Sequence, residues 1–216
     1  MTQLIHYTNQ DLLEGEAICT SIDEENSKIY FDKTYFFPKG GGQPADKGIV
    51  QNTNFYCEII NVVEENDKVA HHFANKKGQI KPGDKIFMKV DRETRLLHSK
   101  LHTAGHLVDI SYYLFTNVPL LKANLYPGIT SCTYKGGIQV NKQELIKLLQ
   151  EKVNELIKLN LPIKILVEGN ERYTITGEYK TPCGGTHVKS TGEIKNIFIK
   201  KIECKKNETK VSFTVE

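Results

Sequence analysis

The sequence predicts an α+β protein, with a small β-barrel over residues 1–88 followed by an α/β domain over residues 89–216. Three observations carry that expectation. The first part alternates short β-rich runs with turn residues. The hydrophobic pattern changes to a helical period near residue 90. After that change, two histidine-bearing motifs lie far apart in the chain, so any chemistry they share depends on the fold that joins them.

The barrel rests on segments such as Lys28–Asp32, Asn54–Val63 and Lys85–Val90, rich in β-branched and aromatic residues that suit a pleated, half-buried surface. Turn residues separate them at Glu25-Asn26-Ser27, Asn52-Thr53-Asn54, Asn66-Asp67 and Lys81-Pro82-Gly83-Asp84. Many short strands at close spacing suggest a small barrel. Between them lies Phe37-Pro38-Lys39-Gly40-Gly41-Gly42-Gln43-Pro44-Ala45-Asp46, a glycine-rich loop with backbone amides available and little side-chain obstruction. It is neither a P-loop nor a dinucleotide fingerprint, because no Gly-Lys-Ser/Thr follows and no GxGxxG opens a helix. It reads either as a tight barrel turn or as a ligand-binding loop.

Asp91 suits a helix N-cap, and a helical period runs from there to about Phe115. At 100° per residue, Leu97, Leu101, Ala104 and Val108 fall within an arc of about 60°, a core stripe. His98, His102 and His106 form a second stripe, advancing about 40° per step. A second helix is expected from Asn141 to about Asn160, capped by Asn141 with Glu144 as reciprocal partner and closed by Pro162. Its apolar face is Leu145, Leu148, Leu149, Val153, Leu156 and Ile157. Strands are expected at Ile163–Val167, Tyr173–Thr176, Ile194–Ile202 and Lys210–Val215.

Composition narrows the class of protein. A length of 216 residues, 39% hydrophobic and 25% charged, fits one large or two small globular domains. No stretch approaches the roughly 20 apolar residues needed to cross a bilayer. The start Met1-Thr2-Gln3-Leu4-Ile5-His6-Tyr7 lacks the basic and apolar regions of a secretory signal, so a cytoplasmic location is expected. Five scattered cysteines without a CxxC read as buried thiols, apart from Cys183, which has ligand-like neighbours. A net charge of +3 permits an RNA partner without arguing for one.

The chemistry lies in His102-Thr103-Ala104-Gly105-His106 and Cys183-Gly184-Gly185-Thr186-His187. Spacing of i,i+4 puts two imidazoles on one helical face, and a thiolate with three imidazoles is a full donor set for one tetrahedral zinc ion. His98 could pair with His102 in place of His106; His102 and His106 are preferred, with His98 behind the ligands or exposed. His6, His71 and His72 read as ordinary solvated or hydrogen-bonded side chains. A metalloprotease of the HExxH type is set aside because Thr103 stands where its glutamate belongs, and a zinc finger because paired CxxC motifs are missing. Gly184 and Gly185 let backbone approach a small molecule. Gly105 inside a helix either leaves room for a ligand or lets helix and strand pack closely.

Taken together, Asp32–Asp46, His98–Leu107, Cys183–Val188 and Thr191-Gly192-Glu193-Ile194 resemble the editing module of alanyl-tRNA synthetases and the related AlaX proteins of the medium-sized type. The likeness covers nearly the whole chain, and Cys-Gly-Gly-Thr-His-Val separates it from the threonyl-type editing domain. The resemblance implies an elongation-factor-like barrel and an editing domain of the alanyl/threonyl-tRNA synthetase type. It implies a hydrolase that deacylates tRNA(Ala) mischarged with serine or glycine, using one Zn2+ held by His102, His106, Cys183 and His187. ATP is not expected as a partner. Gln43 and Thr34 stand where the family motif places residues facing the aminoacyl group, Thr34 by its offset from the glycines alone. Gly40 stands where synthetases often carry serine. Whether zinc keeps an open position or is closed by four ligands stays open. So do two other functions, a zinc-stabilised tRNA-binding module without hydrolase activity and a deacylase of another mischarged tRNA. Lys195, Lys200, Lys201, Lys205 and Lys206 read either as RNA contacts or as an ordinary solvated surface.

Overall fold

In the computed structural model, which describes residues 1–137 and 141–216, the turn-separated runs of the first part close into a six-stranded barrel. The chain begins with β1 (Gln3–Leu4), α1 (Ile5–Thr8), β2 (Glu14–Asp23), β3 (Lys28–Phe31), β4 (Lys33–Thr34), β5 (Gly48–Gln51), β6 (Phe55–Glu65), β7 (Lys68–Gly78) and β8 (Lys85–Val90). The barrel order is β2-β3-β7-β6-β5-β8, and antiparallel pairing of β2 with β8, from Glu14 opposite Lys89 to Ile18 opposite Lys85, closes it. Alternation decides which side chains point inward. On β8, Ile86, Met88 and Val90 are buried, while Lys85, Phe87 and Lys89 are exposed. These join Phe31, Phe36, Val50 and Ile59 in the barrel core. Strands β2, β5 and β7 lie outside the expected segments, because their charged, glycine and histidine residues dilute the β signal.

Two buried polar arrangements brace this unit. Asp46 Oδ2 accepts from Phe37 N at 2.7 Å and from Arg95 Nε at 2.8 Å, and Arg95 Nη2 also pairs with it. Arg95 donates further to the carbonyls of Gln10 and Tyr35, each at 2.8 Å. Such a buried pair persists where hydrogen bonds compensate for lost hydration. In the second, His71 Nδ1 lies 3.2 Å from the Ile29 carbonyl, which can only accept. Nδ1 therefore carries the proton, and Thr34 donates its hydroxyl hydrogen to His71 Nε2 at 2.7 Å while accepting from Phe36 N at 3.1 Å.

The remaining elements are α2 (Arg92–Thr116), β9 (Leu120–Tyr126), β10 (Ile129–Lys135), α3 (Lys142–Lys158), β11 (Ile163–Glu168), β12 (Glu171–Thr176), β13 (Tyr179–Pro182), β14 (Ile197–Lys205) and β15 (Glu208–Val215). They form a four-stranded sheet, β14-β15-β10-β9, and a three-stranded sheet, β11-β12-β13. Asp91 caps α2 by accepting from Thr94 N at 2.7 Å. Asn141 caps α3 by accepting from Gln143 N at 2.8 Å and Glu144 N at 3.4 Å. Helix α3 buries Leu145, Leu149, Val153 and Leu156, each worth about 2 kcal/mol on removal from water. Gln150 ties α3 to β14, donating to Ile197 O at 2.7 Å and accepting from Ile199 N at 2.9 Å. Among the described residues no helix is long and apolar enough to cross a membrane.

Some expectations need adjusting. Leu101, Ala104 and Val108 are buried, but Leu97 is 45% exposed. The strand expected from Ile194 begins at Ile197, after a 3-10 turn at Thr191–Glu193. The two compact units are residues 1–40 with 44–96, and residues 41–43 with 97–216, rather than halves separated at one point. The ion pair of Arg95 with Asp46 keeps the first turn of α2 with the barrel. Residues 41–43 group with the second unit, where Gly42 O accepts from Leu125 N at 2.9 Å.

Burial lowers the pKa of His71 from 6.5 to about 4, so the folded barrel holds it neutral. Between those values the unfolded chain binds more protons, and stability falls as pH falls, by about 3 kcal/mol in total. Urea unfolding at pH 7.5 and 4.5 should therefore show the stability advantage of wild type over His71→Gln shrinking by about 2–3 kcal/mol at the lower pH. A pH-independent difference would contradict this account.

Candidate metal centre

Helical periodicity and a short turn bring four donors together. His102 and His106 leave the same face of α2, one turn apart, and the turn after β13 carries Cys183 and His187. One ligand atom from each lies within 4.8 Å of all the others. The imidazole centroids are 5.2 Å apart for His102 and His106, 4.8 Å for His102 and His187, and 4.7 Å for His106 and His187. Cys183 Sγ lies 3.3 Å from Nε2 of both His102 and His187. The set suits zinc, which favours imidazole and thiolate in a four-donor shell.

Burial also sets the protonation these donors need. Desolvation lowers the pKa of all three histidines, that of His106 to about 4, and the nearby Arg172 cation pushes in the same direction. Neutral imidazole is the ligating form. Burial raises the Cys183 thiol, while the Gly185 N–H and Arg172 pull it back down.

Hydrogen bonds tie down the atoms behind the four donors. Gln43 is fully buried, and its Oε1 lies 2.8 Å from His102 Nδ1 and 3.0 Å from Thr186 N. A backbone N–H can only donate, so that atom is the amide oxygen and His102 Nδ1 carries the proton, leaving Nε2 for a metal. Gln43 Nε2 donates to Thr186 Oγ1 at 3.0 Å, and Ser99 Oγ lies 2.7 Å from the same hydroxyl. Arg172 Nη1 donates to the carbonyls of Cys183 and Gly185, each at 2.8 Å, holding the turn.

Of the residues expected at the site, His102, His106, Cys183, His187 and Gln43 come together within one unit. Thr34 lies in the barrel unit, fully buried against His71. His98 is buried and outside the ligand group, so it is not an exposed histidine. Sequence reasoning missed Ser99, Thr103, Arg172 and Thr186. Thr103 and Thr186 sit inside the two ligand motifs, and that position was their only signal. The glycines divide by role. A Cβ on Gly185 would collide with the His102 ring, whereas one on Gly184 meets nothing within 4 Å. A Cβ on Gly105 would meet Leu125 of β9 at 2.7 Å, so this glycine serves helix–strand packing. Gly42, at φ +81, lies against the Ala123 backbone, where a Cβ has no room.

Gly185→Ala should therefore displace His102 and weaken zinc binding by about tenfold or more, while Gly184→Ala leaves it near wild type. Competition with a chromophoric chelator measures both, and equal affinities would contradict the steric argument.

Comparison with known proteins finds matches to both parts of the chain. Residues 7–94 match the family described as tRNA synthetases class II (A), and residues 172–210 match the threonyl and alanyl tRNA synthetase second additional domain. The chain is 29% identical to alanyl-tRNA editing protein AlaX-M of Pyrococcus horikoshii, over 91% of this chain and 89% of that protein. It is 27% identical to AlaX-L of the same organism, over 99% of this chain and 58% of the relative. Alanine–tRNA ligase of Petrotoga mobilis is 30% identical over 86% of this chain, which spans 24% of the ligase. The chain thus covers about a quarter of the ligase and under two thirds of AlaX-L, but most of AlaX-M. Both ends of the chain point the same way, and nearly its whole length is similar to the AlaX alanyl-tRNA editing proteins.

Proposed function

We propose that the protein is an aminoacyl-tRNA deacylase that edits in trans, hydrolysing the ester joining serine, or glycine, to tRNA(Ala). The observation that carries this reading is the convergence of His102, His106, Cys183 and His187 in one unit, with Gln43 bonded to one of them. The AlaX-M and AlaX-L relatives are alanyl-tRNA editing proteins, which supports both the reaction class and tRNA(Ala) as partner.

An aminoacyl ester is already activated, so the site must orient it and assist attack by water. Zinc held by the four donors would supply Lewis acidity, polarising a carbonyl and favouring hydrolysis at neutral pH. The chain's own groups prepare the place. Burial keeps the imidazoles neutral, and Gln43 fixes the His102 ring. Gly184 is exposed with open space beside it, so the aminoacyl end can approach Cys183 without side-chain obstruction. The amides of Gly185 and Thr186 are bonded to Cys183 Sγ and Gln43 Oε1, and so serve the ligands rather than an oxyanion.

Serine differs from alanine by one hydroxyl, and a site that hydrogen-bonds it can reject the analogue lacking it by several powers of ten. Gln43 and Thr34 are assigned that selection on their place in the family motif. Lys195, Lys200, Lys201, Lys205 and Lys206, all exposed, are assigned to phosphate contact, although Lys201 and Lys205 also pair with Glu203.

A panel of mischarged tRNAs tests the reading. Seryl-tRNA(Ala) should lose its serine with the zinc-loaded protein and keep it after chelation. A folded, zinc-loaded protein that releases nothing would favour a tRNA-binding module, and release from a different aminoacyl-tRNA would favour another editing specificity. Gln43→Ala and Thr34→Val should each reduce the ratio of kcat/KM for seryl- over alanyl-tRNA(Ala). Unchanged ratios would refute their assignment.

A further inference from the structure

The buried hydroxyl of Thr103 has no part in the ligand set, yet it lies between the two ligand motifs. Thr103 follows His102 directly on α2, is fully buried, and sits with Oγ1 3.1 Å from His187 Nδ1. Val188 N lies 3.3 Å from the same oxygen. The Val188 N–H can only donate, so one lone pair of the hydroxyl is already directed at the turn that carries His187. On the other side of the cluster, His102 shows the same plan, with Nδ1 turned to an outer acceptor and Nε2 turned to Cys183 Sγ. His187 repeats it, with Nε2 3.3 Å from that sulfur.

We propose that Thr103 is a positioning residue for His187. Its hydroxyl oxygen accepts from His187 Nδ1–H, which holds the ring in the tautomer whose bare Nε2 faces the metal position. Outer partners of this kind orient ligating histidines and raise their basicity, and their loss costs about 10–100-fold in metal affinity. One residue of the helical motif thereby aligns a ligand of the other motif. The opposite arrangement, with Thr103 donating to a bare Nδ1, would put a proton on Nε2 and oppose metal binding. The inference rests on the zinc reading of the four ligands, and the experiment separates the two.

Zinc affinity of the full-length protein, by chelator competition at neutral pH, is compared for wild type, Thr103→Val and Thr103→Ser. Ring nitrogen shifts of His187 are read by NMR on the metal-free proteins. Thr103→Val should bind zinc about 10–100-fold more weakly, with Thr103→Ser restoring affinity to near wild type. His187 in wild type and Thr103→Ser should show protonated Nδ1 and bare Nε2, and Thr103→Val should lose that preference. Equal zinc affinity in Thr103→Val, an Nε2-protonated ring in wild type, or failure of serine to rescue would each overturn the proposal. Wild type that binds no zinc would overturn the metal reading instead, and the tautomer measurement would still decide the role of Thr103.

Discussion

Three imidazoles and a thiol can share a space under 5 Å across only if the polar atoms facing away from that space also find partners. This requirement organises the second unit. Gln43 answers it for His102, Thr103 lies in place to answer it for His187, and Thr186 with Ser99 closes the network behind Gln43. Each of these groups is buried, so an unmade bond there would leave a desolvated donor or acceptor costing about 1–3 kcal/mol. A buried network either satisfies all its members or destabilises the fold, and here it defines where the ligands sit.

Close backbone approach is the other side of the same packing. Gly185 lets the His102 ring lie against the turn, Gly105 lets α2 approach Leu125, and Gly42 runs beside Ala123. Arg172 then holds the Cys183 and Gly185 carbonyls from inside the unit. Its cation disfavours protonation of the neighbouring imidazoles and favours the thiolate, both in the direction of metal binding. The buried Arg172 is thus part of the electrostatics of the site as well as its scaffold.

In the barrel unit, polar groups inside the core serve cohesion. Asp46 and Arg95 fasten the base of the glycine segment, and His71 with Thr34 fills the space between Ile29 and Phe36. Thr34 thus has a structural bond of its own, and any contribution to amino acid selection comes from a hydroxyl already directed at His71.

Much of this was legible in the chain. The β-rich first part, the change of period at Asp91, the Asn141 cap and the pairing of donors within each motif all depend on local chemistry or on fixed spacing along one element. What lay beyond reach was what touches what across distance. Gly184 and Gly185 are identical letters, but one faces open space and the other the His102 ring. Leu97 keeps the helical stripe yet is exposed, because periodicity gives a direction and not a neighbour. The roles of Gln43, Thr103 and Arg172 arise from hydrogen bonds to residues far along the chain. The sequence by itself determined which donors were present and on which elements; the tertiary structure decided their outer partners, because a hydrogen bond depends on a few tenths of an ångström that packing alone sets.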